Sequence, residues 1–598
     1  MRALRLSDEI IDGVVGRART NGTSLQAELL VSNHCREADF FRAAAAIAGV
    51  EFVPDIRPNS LVLRELDGLA ILRGAKGPRL VRALGDAGVL LVVVPPEAAS
   101  YQRILERKAN DPAALERLRI APPSALRDAI IQRCEHLICD RSTSLLLDAL
   151  PYCSSRTVMT GIQGFVAGGL LAATVAALAL APSWAMFGLH LFFTLFFCAC
   201  IFLRVAAASQ IDAARRVVAL GRIDPATLPR YTVLVALHRE AEIVPELLRA
   251  LSALMWPRSK LEIMLVCEAD DDETLEALAA HDLRPWVEIV HVPPGRPRTK
   301  PKALAHALQL ATGDFVALYD AEDKPHPLQL MEAYHRFRTT DDGLACVQAP
   351  LEISNGDRSL IARLFAFEYS ALFRGILPFL SDNGLILPLG GTSNHFRRNA
   401  LEKMGGWDPY NVTEDADLGL RMCRFGYRTE TICYPTYEAA PENWKDWRNQ
   451  RTRWLKGWIQ TWLVHMRNPG RLAGELGWRS FVISQILFAG MVISALVHPV
   501  LLATIAWLGI TLIVNGSGSV LMPAIVGIDM ANILMGYGAY ILLGRTTLPR
   551  SKRRGLWIVI LCTPAYWLMQ SFAAWRAVYQ LWRDPHLWEK TPHPATRR

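Results

Sequence analysis

The chain has 598 residues, 51% of them hydrophobic, and a formal net charge of +8. Its length exceeds one compact domain, and its positive mean hydropathy points to membrane segments. The basic excess is spread over juxtamembrane Arg and Lys, which fits anionic lipid and phosphate-bearing substrates and argues against a nucleic-acid groove; eleven cysteines without a paired framework exclude a disulfide scaffold.

Residues 1–150 alternate helical patterns with short β-rich runs. Leu25–Leu30 and Phe40–Ala48 read as helices, and Val89–Pro95 as a buried strand. No basic-then-apolar secretory signature opens the chain, so this domain is expected in the cytosol as a docking or regulatory module. Cys134, His136 and Cys139 have ligand-like spacing, but no second Cys/His pair accompanies them and zinc is not expected. From Thr157 to Leu203 there is no charged residue. As helix this run would extend about 70 Å, roughly twice a ~30 Å hydrocarbon core, so 157–205 is predicted to be a transmembrane hairpin. It breaks near Pro182-Ser183-Trp184, and Arg156, Arg204, Arg215 and Arg216 on its flanks place both ends in the cytoplasm.

Residues 228–475 form the catalytic candidate. Apolar strands at Thr232–Ala236, Ile263–Cys267, Trp286–Val292 and Phe315–Tyr319 alternate with helices at Ile243–Leu254 and Ala303–Ala311. Such alternation predicts an α/β domain, a mostly parallel sheet with helices on both faces, binding ligands beyond the carboxyl ends of its strands. Arg358–Leu380 and the Trp-rich segment around Trp444–Trp462 read as interfacial helices. Ser480–Gly544 carries Asp529 as its sole charge, and Gly555–Ala574 is a further apolar run. Splitting the former near His498-Pro499 and Asn515-Gly516-Ser517 makes four C-terminal spans, the arrangement favoured here. Splitting it once suits the basic loop Arg545–Arg554 better but exports the tail, unless 555–582 is re-entrant. The resulting bundle is 480–578, with a cytosolic tail at 579–598. Asp529, a lone acid in a span, is a candidate functional residue.

Three clusters carry the chemistry: Asp320-Ala321-Glu322-Asp323, Thr413-Glu414-Asp415, and Gln450-Arg451-Thr452-Arg453-Trp454. In this order they suit reactions of a metal-bound diphosphate sugar. Glu240, and Glu268 with Asp270 to Asp272, supply acceptors for a base or ribose edge. Lys300 opens a helix and offers charge to a phosphate, together with helix N-terminal amides. Asp320 with Glu322 or Asp323 presents oxygens to Mg²⁺ or Mn²⁺. Asp415, with an ordinary pKa near ~4, is the candidate general base. Thr413 followed by Glu414 and Asp415 is equally a capped helix start. One base without a second nucleophilic carboxylate suggests single displacement with inversion. Gln450 and Arg453 suit diphosphate binding, and the Trp454 indole suits stacking on the acceptor's terminal sugar.

The ordered set of Glu268 with Asp270 to Asp272, Asp320–Asp323, Thr413–Asp415 and Gln450–Trp454 resembles the processive family 2 glycosyltransferases, the cellulose- and hyaluronan-synthase type, over roughly residues 160–580. The resemblance implies a GT-A fold, a UDP-sugar donor, a divalent metal, inverting β-transfer, and a polymer leaving through a channel in the same chain. It also implies a multi-pass protein of the bacterial inner membrane, with an outer-membrane or periplasmic export partner possible in such systems. The tail Trp582–His593 further resembles the subgroup containing bacterial phage-adsorption protein B. The stretch Ser24–Val53 resembles the N-terminal domain of type II secretion and pilus ATPases, without the Arg-Leu-Gly-containing motif that binds cyclic di-GMP in some members. Cellulose synthases carry Asp-Asp-Gly at the first cluster and Asp-x-Asp at the metal, and their acceptor-facing segment differs from Gly390–His395, which includes Asn394 and His395 as acceptor-binding candidates. Donor sugar and linkage therefore stay open. The expectation is an enzyme polymerising a UDP-hexose or UDP-N-acetylhexosamine into a β-linked exopolysaccharide; the alternatives are single-sugar transfer to a lipid phosphate, or an inactive envelope receptor or scaffold.

Overall fold

The computed structural model describes residues 4–74, 80–85, 88–211, 220–221, 223–281, 283, 285–515 and 521–589. Arg215, Arg216, Gly516, Ser517 and the tail segment Lys590–His593 lie outside the described residues. Helix α1 (Gly161–Leu180) starts in a Thr160/Gln163 capping box and is joined through Ala181 to helix α2 (Pro182–Ser209). The hairpin breaks where Pro182 occupies the first turn of the second helix, a position that needs no backbone donor.

A seven-stranded sheet holds the centre. Its strands are β1 (Tyr231–Leu237), β2 (Leu261–Glu268), β3 (Val287–Val292), β4 (Phe315–Tyr319), β5 (Leu344–Gln348), β6 (Asn394–Arg397) and β7 (Arg428–Thr431). The spatial order is β7-β5-β6-β4-β1-β2-β3, and β6 alone runs against its two neighbours. Alternate residues of a strand face opposite sides, and here they feed two separate cores. Leu234, Met264, Val266, Val316 and Leu318 pack on helix α3 (Lys300–Leu308), while Val233, Val235, Ile263, Leu265 and Ala317 pack on the helix Val244–Ser252 and on Leu330, Ala333 and Phe337. This is the expected α/β class with a mostly parallel sheet, in agreement with the GT-A arrangement.

Beyond the sheet lie helix α4 (Leu360–Ala371), helix α5 (Glu414–Arg424) and helix α6 (Trp444–His465). A helix at Pro469–Ser484, bent at Gly477, leads into helix α7 (Gly490–Asn515), followed by helix α8 (Leu521–Thr547) and helix α9 (Leu556–Arg583). Among the described residues, five helical segments are long and apolar enough to cross a membrane, three of them C-terminal. Four C-terminal spans were expected; Pro499 lies inside α7, and the helix continues through the predicted break.

Helix α9 is unlike the others. Just before it Lys552 Nζ donates to the Ile353 carbonyl (2.9 Å), midway the Trp447 indole donates to Tyr566 (3.2 Å), and after it Gln460 donates to the Pro585 carbonyl (2.6 Å). Both ends and the middle thus touch the catalytic domain. Its face with Val559, Tyr566, Ala573 and Ala577 is buried, and Trp557, Leu561, Phe572 and Trp575 are exposed.

The N-terminal domain is a five-stranded mixed sheet with helices. The strand expected at Val89–Pro95 spans Leu90–Val94, and its first residue is exposed rather than buried. The domain docks on the β2–β3–α3 side of the catalytic sheet: Arg127 donates to Glu288 (2.9 Å) and to the Leu310 carbonyl (3.0 Å), and Gln309 donates to the Ile138 carbonyl (2.8 Å).

Candidate active site

The carboxyl ends of β1, β2 and β4 open into one cavity of about 440 Å³. Strand geometry brings three sets of polar residues there. Glu240 follows β1, Glu268 ends β2, and Asp320 with Glu322 follows β4. Lys300 enters as the first residue of α3, and Thr413, Glu414 and Asp415 enter from the start of α5. Gln450, Arg453 and Trp454 enter from α6. Helix α6 approaches the Thr413 end of α5 at Gly457, where an added Cβ would collide with the Thr413 side chain.

The charges in this cavity are close and incompletely paired. Lys300 Nζ bonds the Asp320 carboxylate and the Gly391 carbonyl (2.7 Å). Burial works against its charge, but Asp320, Asp415 and Glu414 hold its pKa above the ordinary value. Asp415 Oδ1 accepts from the Trp407 indole at 3.2 Å. Burial, then repulsion from Glu414, pushes the Asp415 carboxyl well above the usual range, correcting the expectation of a value near ~4. Burial likewise raises Glu414, against the attraction of Lys300. Glu438, on the strand Thr436–Glu438, is raised by burial and by Asp323, Glu322 and Asp320. The Arg453 guanidinium sits 4.5 Å from the centre of the Trp588 ring. Buried polar atoms normally find partners. Here Glu268 Oε2, Gln450 Oε1 and Arg453 Nε accept or donate no hydrogen bond, although Lys302 Nζ stands 4.0 Å from Glu268 Oε2.

Three expected site residues lie elsewhere. Asp323 is buried beneath the cavity floor; its Oδ2 accepts from the Asp320 amide (2.8 Å) and the Thr392 hydroxyl, so it buttresses the acidic loop instead of facing a metal. His395 is fully buried within β6, bonded to Tyr231 (2.9 Å) and Gln329 (3.2 Å), and burial pushes its pKa down to about 3. Asn394, also fully buried, donates to the Gly390 carbonyl (2.6 Å). Neither faces the cavity, because both belong to a central strand packed on both sides. Four residues that line or support the site were not anticipated. Trp407 follows a Gly-Gly pair at positive φ, Glu438 and Tyr369 line the cavity, and Trp588 returns to it from the tail. Only Trp588 had a signal, its place in the tail resemblance.

A second cavity of about 260 Å³ lies between α2, α4, α6, α7, α8 and α9, with Trp454 and Trp458 in its wall as in that of the first. Trp454 therefore faces both spaces. The indole also packs on Arg451, whose guanidinium lies 4.7 Å from its ring centre and bonds Glu368 through two nitrogens (2.8 and 2.7 Å).

Residues 315–514 match the family model described as Glycosyl transferase family group 2. A probable glycosyltransferase, YdaM of Bacillus subtilis (strain 168), is 28% identical over 240 residues, covering 38% of this chain and 55% of that protein. The probable glucomannan 4-beta-mannosyltransferase 1 of Arabidopsis thaliana is 24% identical, covering 39% of this chain and 44% of that protein. The chain spans about half the length of the curated relatives it matches. Among solved structures, mannosyltransferase PcManGT of Pyrobaculum calidifontis, in complex with GDP-Man and Mn²⁺, is similar at 19% identity and TM-score 0.43, covering 65% of this chain and 98% of that one. S. aureus TarS 1-349 is similar at 14% identity and TM-score 0.31, covering 60% and 93%. The matched segment runs from the strand before Asp320 through Thr413–Asp415 and Gln450–Trp454 into the first C-terminal apolar helix, and it is a glycosyltransferase family 2 domain.

Proposed function

We propose that the protein transfers a sugar, with inversion, from a nucleoside diphosphate donor to a glycan that extends through the second cavity. The polymer is a β-linked exopolysaccharide made from a UDP-sugar and carried across the membrane by the same chain. The observation that carries this reading is that Trp454 and Trp458 belong to the walls of both cavities: the acidic clusters line one, and apolar helices long enough to span a membrane line much of the other. A β-mannosyl transfer named for the Arabidopsis relative is in keeping with it.

Each group then has a task. Glu240 and Glu268 receive the base and ribose. Lys300 and Arg453 hold the diphosphate, and Gln450 offers its unpartnered oxygen to the donor. Asp415 takes the acceptor hydroxyl proton, and its raised pKa makes it a stronger base than an ordinary carboxylate. Trp407 aims that carboxylate, while Trp454 stacks on the terminal sugar. Asp320 and Glu322 would hold a divalent cation, Mg²⁺ or Mn²⁺. The donor set fits: Glu240, Glu268, Asp320, Glu322, Glu414, Asp415 and Glu438 line the cavity against Arg298, Lys300 and Arg453, so carboxylates outnumber cations. Among the described residues no group of three ligands is pre-assembled, as suits an ion that takes most of its ligands from phosphates and water. When bound, such an ion supplies charge to the departing diphosphate.

In this reading α1, α2, α7 and α8 cross the bilayer, and α9 lies along the headgroup level with its Trp-rich face in lipid. That keeps Arg545–Arg554 and the tail on the cytosolic side with the catalytic and N-terminal domains, obeying the basic-loop rule. The membrane is then the bacterial inner membrane, with an export partner beyond it, and the N-terminal domain is a docking or regulatory module.

The test is full-length protein in nanodiscs, given radiolabelled UDP-sugars with Mg²⁺ or Mn²⁺. We expect UDP release that stops with EDTA and a product many sugars long. Glycolipid bearing one sugar would sink polymerisation; no nucleotide release from UDP- or GDP-sugars would sink the transferase reading itself.

A further inference from the structure

We infer that the second cavity contains an anion-binding subsite at Arg204, and that the glycan occupying it carries an acidic substituent. This rests on the reading above that a glycan enters that cavity. Arg204 had the appearance of a basic flank of the hairpin; instead its side chain lines the cavity, 5.5 Å from the centre of the Trp567 ring. Among the described residues it has no carboxylate within 4.0 Å and no hydrogen-bond acceptor; its guanidinium meets the Trp567 face, with Cys200, Tyr540 and Glu368 as more distant electrostatic neighbours.

The nearby acid cannot neutralise it. Glu368 accepts two bonds from Arg451 (2.8 and 2.7 Å) and one from the Tyr566 hydroxyl (2.6 Å), with Gln570 at 3.5 Å. One carboxylate thus serves a nearby arginine completely, and the cluster of Arg204, Arg451 and Glu368 keeps one positive charge in excess. Cations at this depth normally pair, and they mark paths for polar solutes. A guanidinium presents a planar fork of donors that matches a carboxylate or a phosphate.

The rest of the wall favours a sugar chain over a lipid tail. Trp454, Trp458, Tyr540 and Trp567 offer ring faces, and Asn532 and Gln570 add amides whose contacts within the protein are long, to Cys198 (3.4 Å) and Glu368 (3.5 Å). The anion is therefore a carboxylate or phosphate borne on the glycan, some way behind its growing end at Trp454.

Binding separates this inference from catalysis. Full-length protein in phosphatidylcholine nanodiscs would be titrated with fluorescent tetrasaccharides: a β-hexuronate, its methyl ester, a 6-phosphohexose and a neutral β-glucan. We expect the two acids to bind at least tenfold tighter than the ester and the glucan. Arg204→Gln should abolish that preference while leaving UDP affinity unchanged, and Arg204→Lys should restore part of it. Equal or absent binding of the four by the wild type overturns the subsite, as does a preference that survives in Arg204→Gln. A prenyl phosphate showing the Arg204-dependent gain while the acidic sugars show none overturns the glycan assignment. UDP release by the wild type, measured alongside, reports on the transferase reading independently.

Discussion

Asp415 and Asp417 stand two residues apart on one helix turn, both buried, and they live in opposite electrostatic worlds. Asp417 is saturated. Its Oδ2 accepts from Arg421 (3.2 and 2.7 Å), and its Oδ1 accepts from His465 Nε2 (2.8 Å). His465 in turn accepts from Arg424 (2.7 Å), which also bonds Glu475 (2.6 Å). Burial alone would raise the Asp417 pKa, but Arg421 and His465 bring it below the ordinary value. Asp415 has one neutral indole donor; burial and the adjacent Glu414 drive its pKa up, and Lys300 offsets this only in part. A closed network is a fastening; an open one leaves lone pairs for a substrate. The difference separates the acid proposed as base, Asp415, from its neighbour in the Thr-Glu-Asp-Ala-Asp run, a distinction residue type alone does not reveal.

Substitutions can break that contrast. Asp415→Asn should lower sugar transfer by about 10²–10⁴-fold, the worth of a positioned base, with little change in thermal midpoint; wild-type turnover would remove Asp415 from the mechanism. Asp417→Ala should do the reverse. It strands Arg421 and His465 without their acid, costing about 3–5 kcal/mol of stability in denaturant titrations, while the folded fraction keeps its UDP affinity. An unchanged denaturation midpoint would contradict the fastening role.

Gly457→Ala pushes a methyl into Thr413 and separates the two helices that supply the site. We expect a loss of about 1–3 kcal/mol together with reduced turnover, and Gly457→Ala proteins that retain both would show that this approach is not needed. Trp454→Ala should raise acceptor KM by ~5–30-fold, about 1–2 kcal/mol of aromatic contact, with donor KM held. The smallest effect is one of pH. Because the folded Asp417 pKa is depressed, its stabilisation is fully present above the ordinary carboxylate range near ~4 and is lost as pH falls through the folded value. Acid titration of stability should therefore be shallower in Asp417→Asn than in wild type.

Much of the frame was legible in the chain. The apolar runs at Thr232–Ala236, Ile263–Cys267 and Phe315–Tyr319 became β1, β2 and β4, and the acidic residues just past them reached one cavity. The helical hairpin broke where Pro182 stands. Misreadings cluster where a residue's direction mattered. His395 and Asn394 follow a Gly-Gly turn, as a ligand loop would, but they lie on the reversed strand β6 with both faces covered. Asp323 is one residue past Glu322, and that single step turns its carboxylate from the cavity to Thr392. Helix α9 has the length and hydropathy of the predicted span, and Trp447 and Gln460 also bind it and its tail to the catalytic domain, contacts that its apolar run does not announce.

The sequence by itself determined the succession of strands, caps and apolar helices, and with it the acids that open each loop, because periodicity and helix starts are local properties of the chain. Tertiary structure alone decided that Asp415 stays open while Asp417 is locked, that Trp588 returns to Arg453, and that Arg204 turns onto the Trp567 ring. Each of those outcomes depends on whether a lone pair or a donor meets a partner from a distant segment, and no neighbouring residue encodes that meeting.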